Sequence, residues 1–166
     1  SNDPVLKGSF DVAIRRAPGD QTTFEVAPLF TETTTVIASA SLLKGRSFKA
    51  PRDLAKAVLL STESRPGDWE NWLSAAGCAD LRPMQMLRFD HFFVTLQAVV
   101  DGMGFGIGTF PTLAADVELG RLVTPFRQWQ VRGSAYFVVV PLDSDKPKYL
   151  REFLAWLHAA GERAAQ

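Results

Sequence analysis

Residues 88–126, RFDHFFVTLQAVVDGMGFGIGTFPTLAADVELGRLVTPF, decide the architecture. Asp90 can cap a helix over 91–101, where Phe92, Phe93, Leu96, Val99 and Val100 recur as one apolar stripe. Gly102 closes that helix, and 105–109 follow as a strand. Pro111 stops the strand, 112–119 form a short helix finished by Gly120, and 122–124 return to strand. Helix and strand in alternation mean an α/β fold with a largely parallel sheet.

The flanking sequence extends the pattern. Upstream, 11–16, 24–29 and 33–39 read as strands, the last rich in β-branched residues. A short helix opens at Pro51, and Val58, Leu59 and Leu60 form a brief strand. Asp68 can cap the next helix, with Trp69, Trp72, Leu73 and Ala76 at helical spacing and Gly77 at its end, before a strand over 84–87. Downstream, 135–140 read as a strand. The closing helix, 147–160, places Tyr149, Leu150, Phe153, Leu154 and Leu157 inward, with Gly161 beyond it. Strands meet with little helix between them near 24–39 and 122–140. Such places suit crossings between two lobes, with a small-ligand cleft where the lobes meet.

Composition narrows the function. Lys plus Arg equals Asp plus Glu at 18 each, so the chain lacks the basic excess of a domain that grips phosphates. A single cysteine, Cys78, forbids an internal disulfide and fits a reducing compartment. No run approaches the roughly 18 apolar residues that span a bilayer, and Ser1–Asn2–Asp3–Pro4 lacks the apolar stretch of a signal peptide. The expected location is the cytoplasm, with no membrane partner.

Catalytic motifs fail one by one. Gly104 and Gly106 begin a dinucleotide-like spacing, but its third glycine position is Thr109, and the run lies between a helix and the following strand. Alternate glycines instead strip one strand face of side chains, so that a helix or a ligand can approach closely. Two distant histidines, His91 and His158, and one cysteine make a poor zinc set, and no G-x-S-x-G elbow is present. Cys78 follows a helix C-terminus, which does not activate a thiolate. Neither a catalytic group nor a metal or cofactor is expected.

Two features favour binding. Val12, Ile14 and Arg16 share one strand face, and Arg16 ends it at the edge where ligands bind in open sheets. A cation there suits either a ligand carboxylate or a structural ion pair. The helix start at Asp90–Phe93 offers free N–H groups that attract anions.

Longer motifs carry a family likeness. Phe10–Asp11–Val12–Ala13–Ile14–Arg15, Pro28–Leu29–Phe30 and Val36–Ile37–Ala38–Ser39 stand in order, though Ala40 replaces a usual proline. Ser64–Arg65–Pro66–Gly67–Asp68–Trp69 leads into Trp72–Leu73 and Ala76–Gly77. The most specific stretch runs from Arg88–Phe89–Asp90–His91 through Gln97–Ala98–Val99, Asp101–Gly102–Met103–Gly104 and Pro111 to Gly120–Arg121–Leu122–Val123 and Pro125–Phe126. This pattern resembles the effector-binding domain of LysR-type transcriptional regulators, in the glycine-cleavage-activator-like subgroup, over nearly the whole chain.

The resemblance implies a fold like a type 2 periplasmic binding protein, with two α/β lobes around a ligand cleft. One lobe would hold 1–38 and 136–166, the other 39–135. The chain would start inside the family's domain, without its winged helix-turn-helix. Carried over by position, ligand contacts would come from Ile14, Arg16, Ser61, Thr62, Glu63, His91, Phe92, Thr109, Phe110 and Tyr136. Phe92 and Phe110 suit the core as well, while Arg16 and Tyr136 are the strongest contacts. The implied role is allosteric: a small anionic or polar effector, carboxylate- or amino-acid-like, alters how paired or tetrameric copies meet DNA through the absent headpiece. Rival readings are a transporter's solute-binding protein, an enzyme on the same fold, and an interaction domain without a ligand.

Overall fold

The computed structural model describes residues 11–16, 18, 22–142 and 147–164. The first ten residues, assigned above to one lobe, lie outside that set, as does Phe10 of the opening motif. The chain forms two compact units: unit 1 is Ser1–Glu32 with Gly133–Gln166, and unit 2 is Thr33–Arg132. Strands β2 (Phe24–Ile37) and β6 (Val131–Pro141) carry the chain from one unit to the other. The two strands expected over 24–39 are thus one, because the run Thr31–Glu32–Thr33–Thr34–Thr35–Val36–Ile37 contains no glycine or proline to break it. Pro28 lies where β2 has left its β5 partner, whose pairing covers only Thr33–Ile37.

In unit 2, β3 (Val58–Thr62) and β4 (Gln85–Phe89) pair in parallel, with Leu59 opposite Met86. On the other side of β3, Leu60 N–H donates to Phe105 O (2.7 Å) and Phe105 N–H to Val58 O (3.0 Å). Phe105 leads into β5 (Gly106–Phe110), which pairs antiparallel with β2, Val36 facing Ile107. Parallel pairing is therefore confined to β3 with β4 and with Phe105, while β2 and β5 run antiparallel. Residues 122–124 make an isolated bridge, Ala38 to Val123, rather than a strand.

Consecutive residues of β3 face opposite ways and feed two cores. Leu59 joins Val36, Trp69, Trp72, Phe105 and Phe126, under helix α2 (Asp68–Ala75). Leu60 joins Ile37, Ala98, Val99 and Leu122, under helix α3 (Phe92–Val100). Both leucines are fully buried, which stabilises by about 1.5–3 kcal/mol each. Trp72 Nε1–H donates to Trp129 O at 3.0 Å, leaving no buried indole donor unpaired. The glycine ladder serves packing: a Cβ at Gly106 would lie 2.7 Å from Val99 of α3, and one at Gly108 2.6 Å from Ile37. The inward stripe of α3 is Phe92, Thr95, Leu96, Ala98 and Val99. Phe93, expected inward, is 79% exposed, because it sits a full helical step from Phe92, outside the stripe. Asp90 does not cap α3. His91 occupies that position, without a side-chain bond, just as Gly67 rather than Asp68 precedes α2. Two short helices, α1 (Ala40–Leu43) and α4 (Ala114–Glu118), and a 3-10 turn at Pro51–Lys56 complete the unit.

In unit 1, β1 (Ala13–Arg15) pairs antiparallel with β6, Ala13 opposite Val139. Leu29, Val138, Val140 and Leu157 form the core, closed by helix α5 (Lys148–Ala164) through Leu150, Leu154 and Leu157. Tyr149 and Phe153, expected inward, are exposed, since the buried stripe of α5 follows Leu150 instead. Ile14 is half exposed on the short β1 strand. The helix does not end at Gly161. It continues past it, because that glycine lies against Leu29 O, where a Cβ would come within 2.5 Å.

Candidate functional site

Parallel strands β3 and β4 end together, and unit 2 gathers its polar groups at that edge, where open sheets bind ligands. β3 contributes Ser61 and Thr62. The following turn carries Glu63 and Arg65, then Gly67 at φ +84°, a left-handed position suited to glycine, opens α2. These residues enclose a cavity of about 270 Å³, floored by Leu60, Trp69 and Ile107 and bordered by Asp68, Glu70 and Arg88. Trp69 is anchored by its Nε1–H bond to Leu60 O, 2.9 Å.

Arg65 organises the edge. Its Nη1 donates to Thr109 Oγ1 at 2.8 Å, and its guanidinium carbon lies 3.9 Å from the centroid of the Phe92 ring. A planar guanidinium held on a ring face and by one hydroxyl keeps further N–H groups for a carboxylate. Nearby, the Thr62 and Thr95 hydroxyls share a hydrogen bond of 2.8 Å, and Thr95 Oγ1 also lies 3.3 Å from His91 O. The Thr62 oxygen retains acceptor capacity. Burial pushes the Asp68 carboxyl up, against the pull of Arg65, and the charge of Glu70 adds to the rise. Cations and carboxylates therefore share one small cavity, which suits a compact ligand carrying both kinds of group.

The positions expected to bind ligand divide between the units. In unit 2, Ser61, Thr62 and Glu63 line the cavity. Thr109 and Phe92 are tied to it through Arg65, and His91 is exposed with its carbonyl bound to Thr95. Phe110 packs with the Leu60 core. In unit 1, Arg16 Nε donates to Tyr136 Oη at 2.9 Å, and Tyr136 donates to Glu32 Oε1 at 3.1 Å. The Tyr136 hydroxyl, with the charge of Glu32 behind it, raises the Arg16 pKa. Ile14 stands beside this pair on β1. Arg65 escaped the sequence reading. Its only local signal is a cation in the turn between a strand end and a helix start.

The family model described as LysR substrate binding domain matches residues 2–162. The chain belongs to that family. The LysR domain here is 30% identical over 155 residues to the glycine cleavage system transcriptional activator of Escherichia coli K12, covering 93% of this chain and 50% of that protein. It is also 32% identical over 111 residues to the regulator TrpI of Pseudomonas aeruginosa, covering 66% and 37%. The chain thus spans about half the length, or less, of these curated relatives. Among solved structures, the effector domain of AmpR from Pseudomonas aeruginosa superposes with a TM-score of 0.64 at 24% identity, covering 93% of this chain and 74% of that one. That likeness establishes the fold, the periplasmic-binding-protein-like α/β architecture of LysR effector domains. These relatives regulate transcription, and the solute-binding reading finds no support among them.

Proposed function

We propose that this LysR domain is the ligand-sensing part of a transcriptional regulator, and that its effector is a small amino-acid-like or carboxylate metabolite. The supporting observation is Arg65, pinned by Thr109 and Phe92 at the rim of a cavity that also presents Glu63, Asp68 and Glu70. The guanidinium receives the ligand carboxylate and Thr62 accepts from a ligand donor. The acidic rim favours an ammonium. No bond of the ligand is made or broken. In the whole protein, binding shifts the equilibrium between two arrangements of paired copies on promoter DNA, in the cytoplasm, through a DNA-binding headpiece. A coupling of about 1–3 kcal/mol is sufficient.

Calorimetric titration of the chain with a panel of amino acids and short carboxylates tests this reading, repeated with Arg65→Ala and Arg16→Ala. A ligand lost in Arg65→Ala and retained in Arg16→Ala supports it. A ligand lost only in Arg16→Ala moves the site to the Arg16–Tyr136 pair of unit 1. If no member of the panel binds the folded chain, an interaction domain without an effector replaces the sensor.

A further inference from the structure

The cavity at the end of β3 is bordered by two guanidiniums, and they come from different elements. Arg65 stands in the turn after β3, where its partners are uncharged, the Thr109 hydroxyl and the Phe92 ring. Arg88 stands on β4, where the parallel register sets it opposite Ser61. Side chains alternate along a strand, so Met86 and Arg88 share one face while Leu87 and Phe89 share the other. Both members of the first pair line the cavity, and both members of the second pack with the Leu60 core. Among the described residues, the Arg88 side chain has no hydrogen-bond or ion-pair partner.

The carboxylates of the lining are Glu63, Asp68 and Glu70. Glu63 and Glu70 are exposed, and neither has an ion-pair partner among the described residues. Burial pushes the Asp68 carboxyl up, which lessens its repulsion of an incoming anion.

We propose, on the basis of the sensor reading above, that the effector is an acidic α-amino acid, with its α-carboxylate on Arg65 and its side-chain carboxylate on Arg88. Its ammonium turns to the two exposed glutamates. A neutral amino acid occupies Arg65 and leaves Arg88 to water. A basic one sets a second cation against Arg88. A plain dicarboxylate brings two negative charges to a lining that already holds three carboxylates, with no cation of its own to meet them. The acidic amino acid alone gives each guanidinium a carboxylate and the glutamates an ammonium.

Isothermal titration calorimetry of the chain compares L-glutamate with L-glutamine, and L-aspartate with L-asparagine. Each pair differs by one charge at nearly constant shape. The acid of at least one pair should bind about tenfold or more tighter than its amide. Arg88→Gln should lower the affinity of that acid to the level of the amide. Arg88→Lys should restore part of the preference, since the charge returns without the planar fork. Arg65→Ala should weaken both members of the pair. Arg88 is exposed, and an unchanged urea midpoint in its variants checks that the fold persists.

Equal affinity for acid and amide, or a preference that survives Arg88→Gln, overturns the choice of an acidic amino acid and leaves the sensor reading standing. The same holds if other amino acids bind and these four do not. If no amino acid or short carboxylate binds the folded chain, both readings fall together.

Discussion

The Arg65 guanidinium carbon lies 3.9 Å above the Phe92 ring while Nη1 donates to Thr109. This joins the turn after β3, the start of α3 and the end of β5 in one contact. Arg65→Lys keeps the charge but loses the planar stack and the fork, so it is not a conservative change. Affinity for the effector identified by titration should fall about tenfold or more in Arg65→Lys and in Phe92→Ala. Unchanged affinity in both would remove Arg65 from the site.

Tyr136 relays between Arg16 and Glu32 in unit 1. Tyr136→Phe removes both bonds while keeping the ring stacked on Phe30, 4.9 Å away. Urea unfolding should show a loss of about 0.5–1.5 kcal/mol, because the pair is only partly buried. A larger loss would mean that the hydroxyl supports more than these two groups.

Glycines divide by mechanism. Gly106→Ala forces a methyl to within 2.7 Å of Val99 and should cost about 1–3 kcal/mol through overpacking. Gly120→Ala meets nothing within 4 Å but must hold φ +70°, and should cost about 1 kcal/mol through backbone strain. A Gly106→Ala chain as stable as wild type, measured by urea midpoint, would contradict the packing role of the ladder.

Asp68 carries a pH signature. Burial raises its folded pKa above the unfolded value, so the folded chain favours its protonated form. That contribution is present below the ordinary carboxylate range and is lost as pH rises through the raised value. Asp68→Asn should therefore look more favourable at pH 7 than at pH 3.5, in melting temperature relative to wild type. The α2 N-terminus opposes this by favouring the anion. A variant penalised more at pH 7 would show that the helix end and Arg65 dominate over burial.

Much of the fold was readable from local pattern. Trp69, Trp72 and Leu73 announced α2, and Gly102 stopped α3 as a left-handed closing residue at φ +78°. Thr62 and Thr109 were named only through the family likeness, carried over by position. The inward faces of α3 and α5 were misjudged at Phe93, Tyr149 and Phe153 because aromatic residues at helical spacing define a stripe broader than the surface that receives it. Arg65 was invisible because a turn cation gains meaning only from partners 27 and 44 positions away, Phe92 (92 − 65) and Thr109 (109 − 65).

Periodicity and helix-closing glycines sufficed for an α/β chain and for most of the order of its elements, since each depends on contacts within a few residues, while the family was legible only through its likeness to longer motifs. Tertiary structure alone decided that the glycine ladder closes on Val99 and Ile37, and that Arg65 meets Phe92 and Thr109. Those outcomes depend on which distant surfaces share space, and neighbouring residues in a sequence carry little information about that.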